Sequence, residues 1–300
     1  MRGYKPIALA AALLSMLLLM GCAAPRTEPR SPDTFPSLAF NAAEVAQADH
    51  LVIAIPGALS SYTIFDPMLP LLDRDTTAIF YTLPGMDGTP LDRKVTLDGA
   101  AAEIAAFAAS HPKARITLVG VSTGAAIAIE TATRIGPRAS VAAISTPAPG
   151  EAQRAGLRGL NNTLAIAARL GTLDRRKVWE AYYKVLLYGR GYAQAPQTAA
   201  KAETVLSENR KRITLPSLKL FRAHSADLNR WSLDNPETLA ETDLVFFHGT
   251  VDPVFPPQPL QEFAARIPNA KVELVPGHGH LLFASDPNFF VRVGARMSAW

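Results

Sequence analysis

A serine stands between two glycines in the segment GVSTG, residues 120–124, where an apolar run gives way to an alanine-rich one. The run before it is rich in β-branched residues and predicts a strand, and the run after it predicts a helix. A sharp turn between the two would raise the hydroxyl of Ser122 above a sheet, and glycines two positions to either side avoid collisions across that turn. The spacing predicts that Ser122 is a nucleophile. The alternative is a glycine-rich turn whose serine has no chemical role.

A serine hydroxyl attacks a carbonyl only when a base takes its proton and a third group holds that base. Asp252 follows an apolar predicted strand, and His278 and His280 follow the next one. Imidazole titrates near neutral pH, so either histidine could be the base. Glu151 and Asp243 are poorer candidates for the acid, because neither follows a strand end of this kind.

Short runs rich in Val and Ile alternate with longer helical patterns along most of the chain. This alternation predicts a parallel sheet covered by helices on both faces. The predicted strands are 50–57, 76–85, 115–122, 140–145, 243–249 and 271–277, and the helix-like segments lie near 61–72, 96–110, 123–135 and 257–267. Ligands of such sheets bind outside the carboxyl ends of the strands. Ser122, Asp252 and the two histidines all fall at those ends.

The order Ser, Asp, His, with each residue at a strand end, resembles the α/β-hydrolase family from about residue 48 onward. The resemblance implies an α/β-hydrolase fold: a mostly parallel sheet, helices on both faces and a helical cap insertion. It assigns the acid to Asp252, in a G-x-x-D-x-x-x-P setting, where the alternative is a turn-forming aspartate. The family's G-x-G-H pattern favours His280 over His278 as the base. His278 would then line the same mouth or lie at the surface.

The resemblance also implies two backbone N–H donors for the oxyanion of an acyl-transfer intermediate. One is the N–H of Thr123, at the head of the helix after the serine. The other comes from the loop after the first predicted strand, where the family commonly has His-Gly and this chain has Pro56-Gly57. Proline has no N–H to donate. We therefore expect Ala58 to be the donor, with Leu59 as the second choice.

The other histidines have plainer interpretations. His248 is predicted to pack at a strand end, and His50, His111 and His224 are expected to be solvated. The chain has no phosphate-binding glycine loop, no cluster with zinc-ligand spacing and no nucleic-acid motif. We accordingly expect no cofactor, no metal and no nucleic-acid partner. The oligomeric state is not readable from the sequence.

The N-terminus has the pattern of an export signal. Arg2 and Lys5 precede an apolar run of 14 residues, 7–20, which is short for a membrane span and suits a signal-peptide core. The run leads to Gly21-Cys22, which resembles the bacterial lipoprotein box. Cys22 is the single cysteine and is predicted to be lipidated, whereas the alternative is a plain secretory signal with an incidental cysteine. In the lipoproteins that this segment resembles, an aspartate after the cysteine favours retention in the inner membrane. This chain has Ala23 there, so the resemblance implies an outer-membrane location facing the periplasm.

The chain is predicted to have four parts: a signal peptide (1–21), the lipidated cysteine with a proline-rich tether (22–37), a core (38–149 with 236–300) and a helical cap (150–235). In the cap, Leu157, Leu160, Leu164 and Ala168 keep helical spacing, and 178–188 is expected to pack between cap and sheet.

The predicted cap is also basic. Residues 150–215 have 12 Lys or Arg against 5 Asp or Glu, a net of +7, whereas the whole chain carries +4. Such a surface suits an anionic partner, either phospholipid headgroups or an acidic substrate, and suits a simple solvated face equally well.

Three classes of function fit these observations. The first is a membrane-anchored serine hydrolase that cleaves a carboxylic ester or thioester of a small molecule or lipid. The second is an acyltransferase that uses the same residues and hands the acyl group to an alcohol. The sequence leaves these two open, because cap shape and water access decide the acceptor. The third is a tethered binding protein on a hydrolase scaffold, since a fold does not guarantee an activity.

Overall fold

The computed structural model describes residues 34–297 and contains one seven-stranded sheet in the order β1-β3-β2-β4-β5-β6-β7. The short edge strand β1 pairs antiparallel with β3, and the remaining neighbours are parallel. The strands are β1 Leu38–Ala39, β2 His50–Ile55, β3 Thr76–Tyr81, β4 Arg115–Val121, β5 Ala139–Ile144, β6 Asp243–Gly249 and β7 Lys271–Val275. The predicted mostly parallel sheet is confirmed.

Helices separate and follow these strands. They are α1 Ala42–Val45, α2 Leu97–Ala109, α3 Thr123–Ile135, α4 Glu151–Leu170, α5 Arg175–Tyr188, α6 Pro196–Asn209, α7 Leu218–Ser225, α8 Pro257–Ala264, α9 Leu282–Ser285 and α10 Phe289–Met297. Polar side chains cap several of them. Thr96 accepts the Gly99 N–H at the start of α2, and Ser217 accepts the Leu220 N–H at the start of α7. Such caps satisfy N–H groups that have no partner inside the helix.

The central strands β2, β4, β5 and β6 are buried on both faces, which is why they read as continuous apolar runs. Successive side chains of a strand point to opposite faces. In β2, Leu51, Ile53 and Ile55 pack on the side of α2, α3 and α8, whereas Val52 and Ala54 pack on the side of α10. The helices therefore lie on both faces, as the sequence predicts.

The segment predicted as a helix near 61–72 is a 3₁₀-helix, Tyr62–Leu71. Pro67 and Pro70 lie inside it, and proline supplies no N–H and disfavours a continuous α-helix. Ser61 caps its start by accepting the Thr63 N–H. The segment still fixes one face of the sheet, because Phe65 is fully buried there.

The chain between β5 and β6, residues 145–242, carries α4 to α7 and is called the insertion below. Its apolar side chains form a cluster of their own among α4, α5 and α6, which includes Val178, Tyr182 and Leu187. Residues 178–188 pack on one side against neighbouring helices of the insertion and on the other against core residues that follow β6 and β7, which are Val254, Leu281 and Ala284. This agrees with the predicted packing between cap and core. The residues noted for their helical spacing, Leu157 to Ala168, do lie on α4, and Leu157 among them is 65% exposed.

Several predictions concern residues outside the described range. The signal peptide, Cys22 and most of the tether 22–37 lie there. Within residues 34–297, no helix is both long enough and apolar enough to span a bilayer.

Candidate active site

Ser122 occupies the sharp turn between β4 and α3. Its backbone has φ 54° and ψ −115°, which lies outside the regions that L-residues favour and is a conformation that surrounding structure must enforce. The flanking glycines make the turn possible. A Cβ atom at Gly120 would overlap the carbonyl oxygen of Gly124, and one at Gly124 would overlap the carbonyl oxygen of Ile55 at the end of β2.

Asp252 and His280 meet at the ends of β6 and β7. The Oδ1 atom of Asp252 accepts the N–H groups of Val254 (2.7 Å) and Phe255 (3.0 Å). Its Oδ2 atom pairs with Nδ1 of His280 at 2.8 Å. This hydrogen bond puts the proton of a neutral His280 on Nδ1 and leaves Nε2 free to accept one, which is the tautomer that a general base requires.

The electrostatics of the pair centre on a buried carboxylate. Burial alone would raise the pKa of Asp252, but His280, the neighbouring His248 and the N–H of Phe255 together hold it below its ordinary value. His248 is fully buried, donates from Nε2 to the carbonyl of Phe255 (2.8 Å), and keeps a pKa lowered by burial. The predicted packing role of His248 is therefore accompanied by a hydrogen bond to the loop that carries Asp252.

The end of β5 is hydrogen-bonded to the loops of both Ser122 and His280. The carbonyl of Ile144 accepts the Ser122 N–H at 2.8 Å, and the hydroxyl of Ser145 donates to the carbonyl of His280 at 2.7 Å. Ser145 is fully buried and has φ 49°. The sequence analysis did not identify Ser145. Its position, as a polar residue at the carboxyl end of a strand beside β4, would have indicated a place near the site.

The end of helix α5 is hydrogen-bonded to the loop that carries His280. The last carbonyls of a helix have no intrahelical partner. Here the carbonyls of Leu186 and Leu187 accept the N–H groups of His280 and Gly279, each at 2.7 Å. A side chain on Gly279 would overlap the Leu186 carbonyl. The backbone of the segment 277–280 is therefore fixed partly by contacts with the insertion. The spacing of residues in the sequence does not indicate these contacts.

His278 lies apart from the acid. Its Nδ1 pairs with Oγ of Ser285 at 2.8 Å, and its ring lies 5.7 Å from the ring of Tyr188. Burial lowers its pKa. The structure thus brings His280, rather than His278, to Asp252.

The loop expected to supply an oxyanion donor lies against Ser122. A Cβ atom at Gly57 would stand 3.1 Å from the Cβ of Ser122, so the glycine permits the close approach. Among the described residues, the N–H groups of Ala58 and Thr123 have no acceptor. The N–H of Leu59 donates to Nδ1 of His224 at 3.0 Å. Of the two candidates in this loop, only Ala58 keeps an uncommitted N–H.

Two histidines expected to be solvated are buried. His50 is 2% exposed and pairs with the hydroxyl of Thr117 at 2.8 Å, and His224 is 1% exposed. The prediction was wrong because the imidazole ring carries an apolar body and can be buried once its nitrogens have partners. No pattern in the sequence indicates these partners. His111 is partly exposed.

The basic insertion neutralises part of its own charge. Arg154 and Arg158 both pair with the buried Glu151, and Lys184 pairs with Glu203. Arg158 also donates to the carbonyl of Val254, beside Asp252. Across residues 34–297, no group of three or more His, Cys, Asp or Glu side chains is arranged to hold a metal ion.

A sequence profile described as "Alpha/beta hydrolase family" matches residues 52–293, from β2 to α10. The chain belongs to the alpha/beta hydrolase family. The matched range contains Ser122, Asp252 and His280. A search of curated proteins found no significant match for this alpha/beta hydrolase.

Solved structures share its fold at low identity. A thermophilic esterase from Thermogutta terrifontis is 19% identical with a TM-score of 0.61, and the alignment covers 88% of this chain and 94% of that one. A bromoperoxidase from Bacillus anthracis is 17% identical with a TM-score of 0.62, covering 84% and 92%. Est816, described as an N-acyl homoserine lactone degrading enzyme, is 16% identical with a TM-score of 0.59, covering 82% and 92%. At this identity the likeness shows a shared fold.

Proposed function

We propose that this alpha/beta hydrolase cleaves carboxylic esters, with Ser122 as nucleophile, His280 as general base and Asp252 as the acid that orients it. The observation that carries the proposal is the 2.8 Å hydrogen bond between Nδ1 of His280 and Oδ2 of Asp252. It leaves Nε2 of His280 as the proton acceptor that a serine hydroxyl needs. The strained turn at Ser122 supports the same assignment.

The proposed reaction has two halves. Oγ of Ser122 attacks the ester carbonyl carbon while His280 takes the hydroxyl proton, and the N–H groups of Ala58 and Thr123 hold the resulting oxyanion. Collapse breaks the bond to the alcohol, which leaves with the proton from His280, and an acyl-enzyme remains. Water then attacks the acyl carbon with His280 as base, and the acid is released from Ser122.

The relatives' names are consistent with ester substrates. One structural neighbour is named an esterase, and another is described as degrading a lactone, which is a cyclic ester. A third is named a bromoperoxidase. We choose ester cleavage for this chain because the residues at its strand ends are those that acyl transfer requires.

The direct test is labelling of the full chain with a fluorophosphonate probe, followed by turnover of p-nitrophenyl esters of increasing acyl length. We expect labelling of the wild type and none of Ser122→Ala, with circular dichroism showing that both fold. Turnover by the wild type alone supports the hydrolase. Transfer of the acyl group to an added alcohol in preference to water would identify an acyltransferase instead. Folded wild-type protein that does not label would favour a binding protein.

We further propose that the enzyme is anchored by lipid at Cys22 and faces the periplasm from the outer membrane. The proposal is supported by the apolar run at 7–20 and the Gly21-Cys22 pair that follows it. An anchor of this kind would place the catalytic domain within reach of lipid esters as well as small soluble esters.

A further inference from the structure

The loop beside Ser122 is a tight turn with an unusual residue at its third position. The carbonyl of Gly57 accepts the N–H of Ser60 at 3.1 Å, so Ala58 and Leu59 are the central residues. Leu59 has φ 67°, and Ala58 is not among the residues with positive φ. This combination is a type II turn, whose third position strongly favours glycine because a side chain is strained there. Some other contact must hold Leu59 in this conformation.

His224 supplies that contact from the insertion. Its Nδ1 accepts the Leu59 N–H at 3.0 Å, and its Nε2 donates to the carbonyl of Pro84 at 2.7 Å. Only the neutral ring with its proton on Nε2 makes both bonds. Burial lowers the pKa of His224, which favours that neutral form. The ring is 1% exposed, so no water competes for either nitrogen.

The bond to His224 selects one orientation of the peptide group between Ala58 and Leu59. In the common type I turn, the third residue has φ near −90° and this peptide group is turned over. The Leu59 N–H would then point away from His224. Non-glycine residues favour the type I form, so without His224 the turn would no longer be held in its present form. The Ala58 N–H belongs to the preceding peptide group, Gly57–Ala58, and the same turn keeps it in place.

We propose that His224 is a positioning residue of the oxyanion hole: by accepting the Leu59 N–H, it holds the turn that presents the Ala58 N–H to the reacting carbonyl oxygen. This inference rests on the proposed ester hydrolysis. It assigns a role in transition-state stabilisation to a side chain that belongs to the insertion and touches no reacting atom.

Three substitutions distinguish the effects of the two hydrogen bonds that the His224 ring makes. His224→Phe removes both, His224→Asn places an acceptor near the position of Nδ1, and His224→Gln places a donor near the position of Nε2. Loss of an oxyanion donor costs roughly 100- to 1000-fold in kcat. We expect kcat per active site to fall by about 100-fold in His224→Phe and by nearly as much in His224→Gln. His224→Asn should recover most of the activity.

The measurement is kinetic, and each rate is divided by the concentration of active sites so that unfolded protein does not contribute. Active sites are titrated with a fluorophosphonate, and kcat, KM and the affinity for a trifluoromethyl ketone, which forms an oxyanion adduct with serine, are measured. Affinity for the ketone should fall in parallel with kcat, while KM changes little. His50→Phe is the matched control, because it removes another buried histidine at the far end of β2 and should leave kcat per active site unchanged. Equal kcat in His224→Phe and wild type would overturn the proposal.

A measurement that needs no activity separates this inference from the proposed function. Amide hydrogen exchange at Leu59 should be protected in wild type and His224→Asn, and exposed in His224→Phe and His224→Gln. A wild type that turns over no ester would refute the hydrolase, and exchange would still decide whether His224 holds the turn. Unchanged protection of Leu59 in His224→Phe would overturn the positioning role whatever the kinetics.

Discussion

The hydroxyl of Ser145 donates a hydrogen bond to the backbone carbonyl of His280 across 2.7 Å. Ser145 follows Ile144, whose carbonyl accepts the N–H of Ser122. The proposed nucleophile and base are thus tied to consecutive residues at the end of β5, although they lie far apart in the chain. A single strand end thus fixes the backbone of both residues, on which the proposed reaction depends.

Ser145→Ala should therefore affect both stability and turnover. Loss of a buried hydroxyl that satisfies a carbonyl costs about 1–3 kcal/mol of unfolding free energy. A small displacement of His280 should lower kcat by roughly tenfold, equivalent to about 1.4 kcal/mol in the barrier. Urea denaturation and ester turnover measure the two effects.

Thr131→Val is the matched control for that substitution. It removes another buried hydroxyl, which donates to the carbonyl of Ile127 at 2.7 Å within α3. A smaller loss of stability with unchanged kcat is expected, because the Ile127 carbonyl keeps its helix N–H partner. If both variants lower kcat equally, the contact of Ser145 with His280 has no special role.

The two histidines of the GHGH segment should differ sharply on replacement. His280→Ala removes the base and should lower turnover by several orders of magnitude, leaving the residual rate from oxyanion stabilisation and binding. His278→Ala loses the contacts with Ser285 and the Tyr188 ring, neither of which involves Asp252, and should cost at most about tenfold in turnover. Turnover of a short-chain ester at about pH 8, with folding checked by circular dichroism, separates them. An inactive His278→Ala beside an active His280→Ala would reverse the assignment.

Replacement of the acid tests the orientation of the base. Asp252→Asn keeps an acceptor for the N–H groups of Val254 and Phe255 but removes the charge that favours Nδ1–H on His280. In related triads such a change costs about 10⁴-fold in kcat. Asp243→Asn, which alters an exposed acid paired with Lys271, should have little effect. Comparable losses in the two variants would argue against a catalytic role of Asp252.

The strands and the order of the site residues were readable from the sequence because they depend on local patterns. The predicted run 243–249 coincides with β6, and the glycines around Ser122 are required by collisions that follow from turn geometry. These features involve neighbours in the chain or a repeating period, which spacing reveals.

Contacts between distant segments were not readable. Nothing near His224 indicates that its ring accepts the N–H of Leu59 from another part of the chain. The same holds for the carbonyls of Leu186 and Leu187, which hold the loop of His280. A hydrogen bond between a side chain and a distant backbone group has no periodic signature, so only the folded arrangement identifies it.

The proposed anchor predicts where the protein is found in a cell. Cys22→Ser removes the thiol that would carry the lipid, so the variant should leave the membrane fraction and enter the soluble periplasmic fraction. Fractionation followed by immunoblotting measures the distribution, and Ser122→Ala serves as a control that should stay with membranes. Unchanged membrane attachment of Cys22→Ser would refute lipidation at this residue. The proposed esterase activity should be the same in either fraction.

Stability should fall in mildly acidic solution because buried histidines resist protonation in the folded state. Burial, with a contribution from the nearby Arg115, lowers the pKa of His50 from 6.5 to about 4. Between pH 6.5 and about pH 4 the unfolded chain therefore binds a proton at His50, whereas the folded chain does not. The contribution of His50 to the unfolding free energy is complete above pH 6.5 and is lost as the pH falls toward 4. One such group contributes at most about 1.4 kcal/mol per pH unit.

His50→Gln, which keeps a polar partner for Thr117 but cannot titrate, should flatten the curve of unfolding free energy between pH 7 and 4. His111→Gln, at a partly exposed position, should leave the slope as it is in the wild type, and an unaltered slope in His50→Gln would show that this histidine does not drive the acid sensitivity.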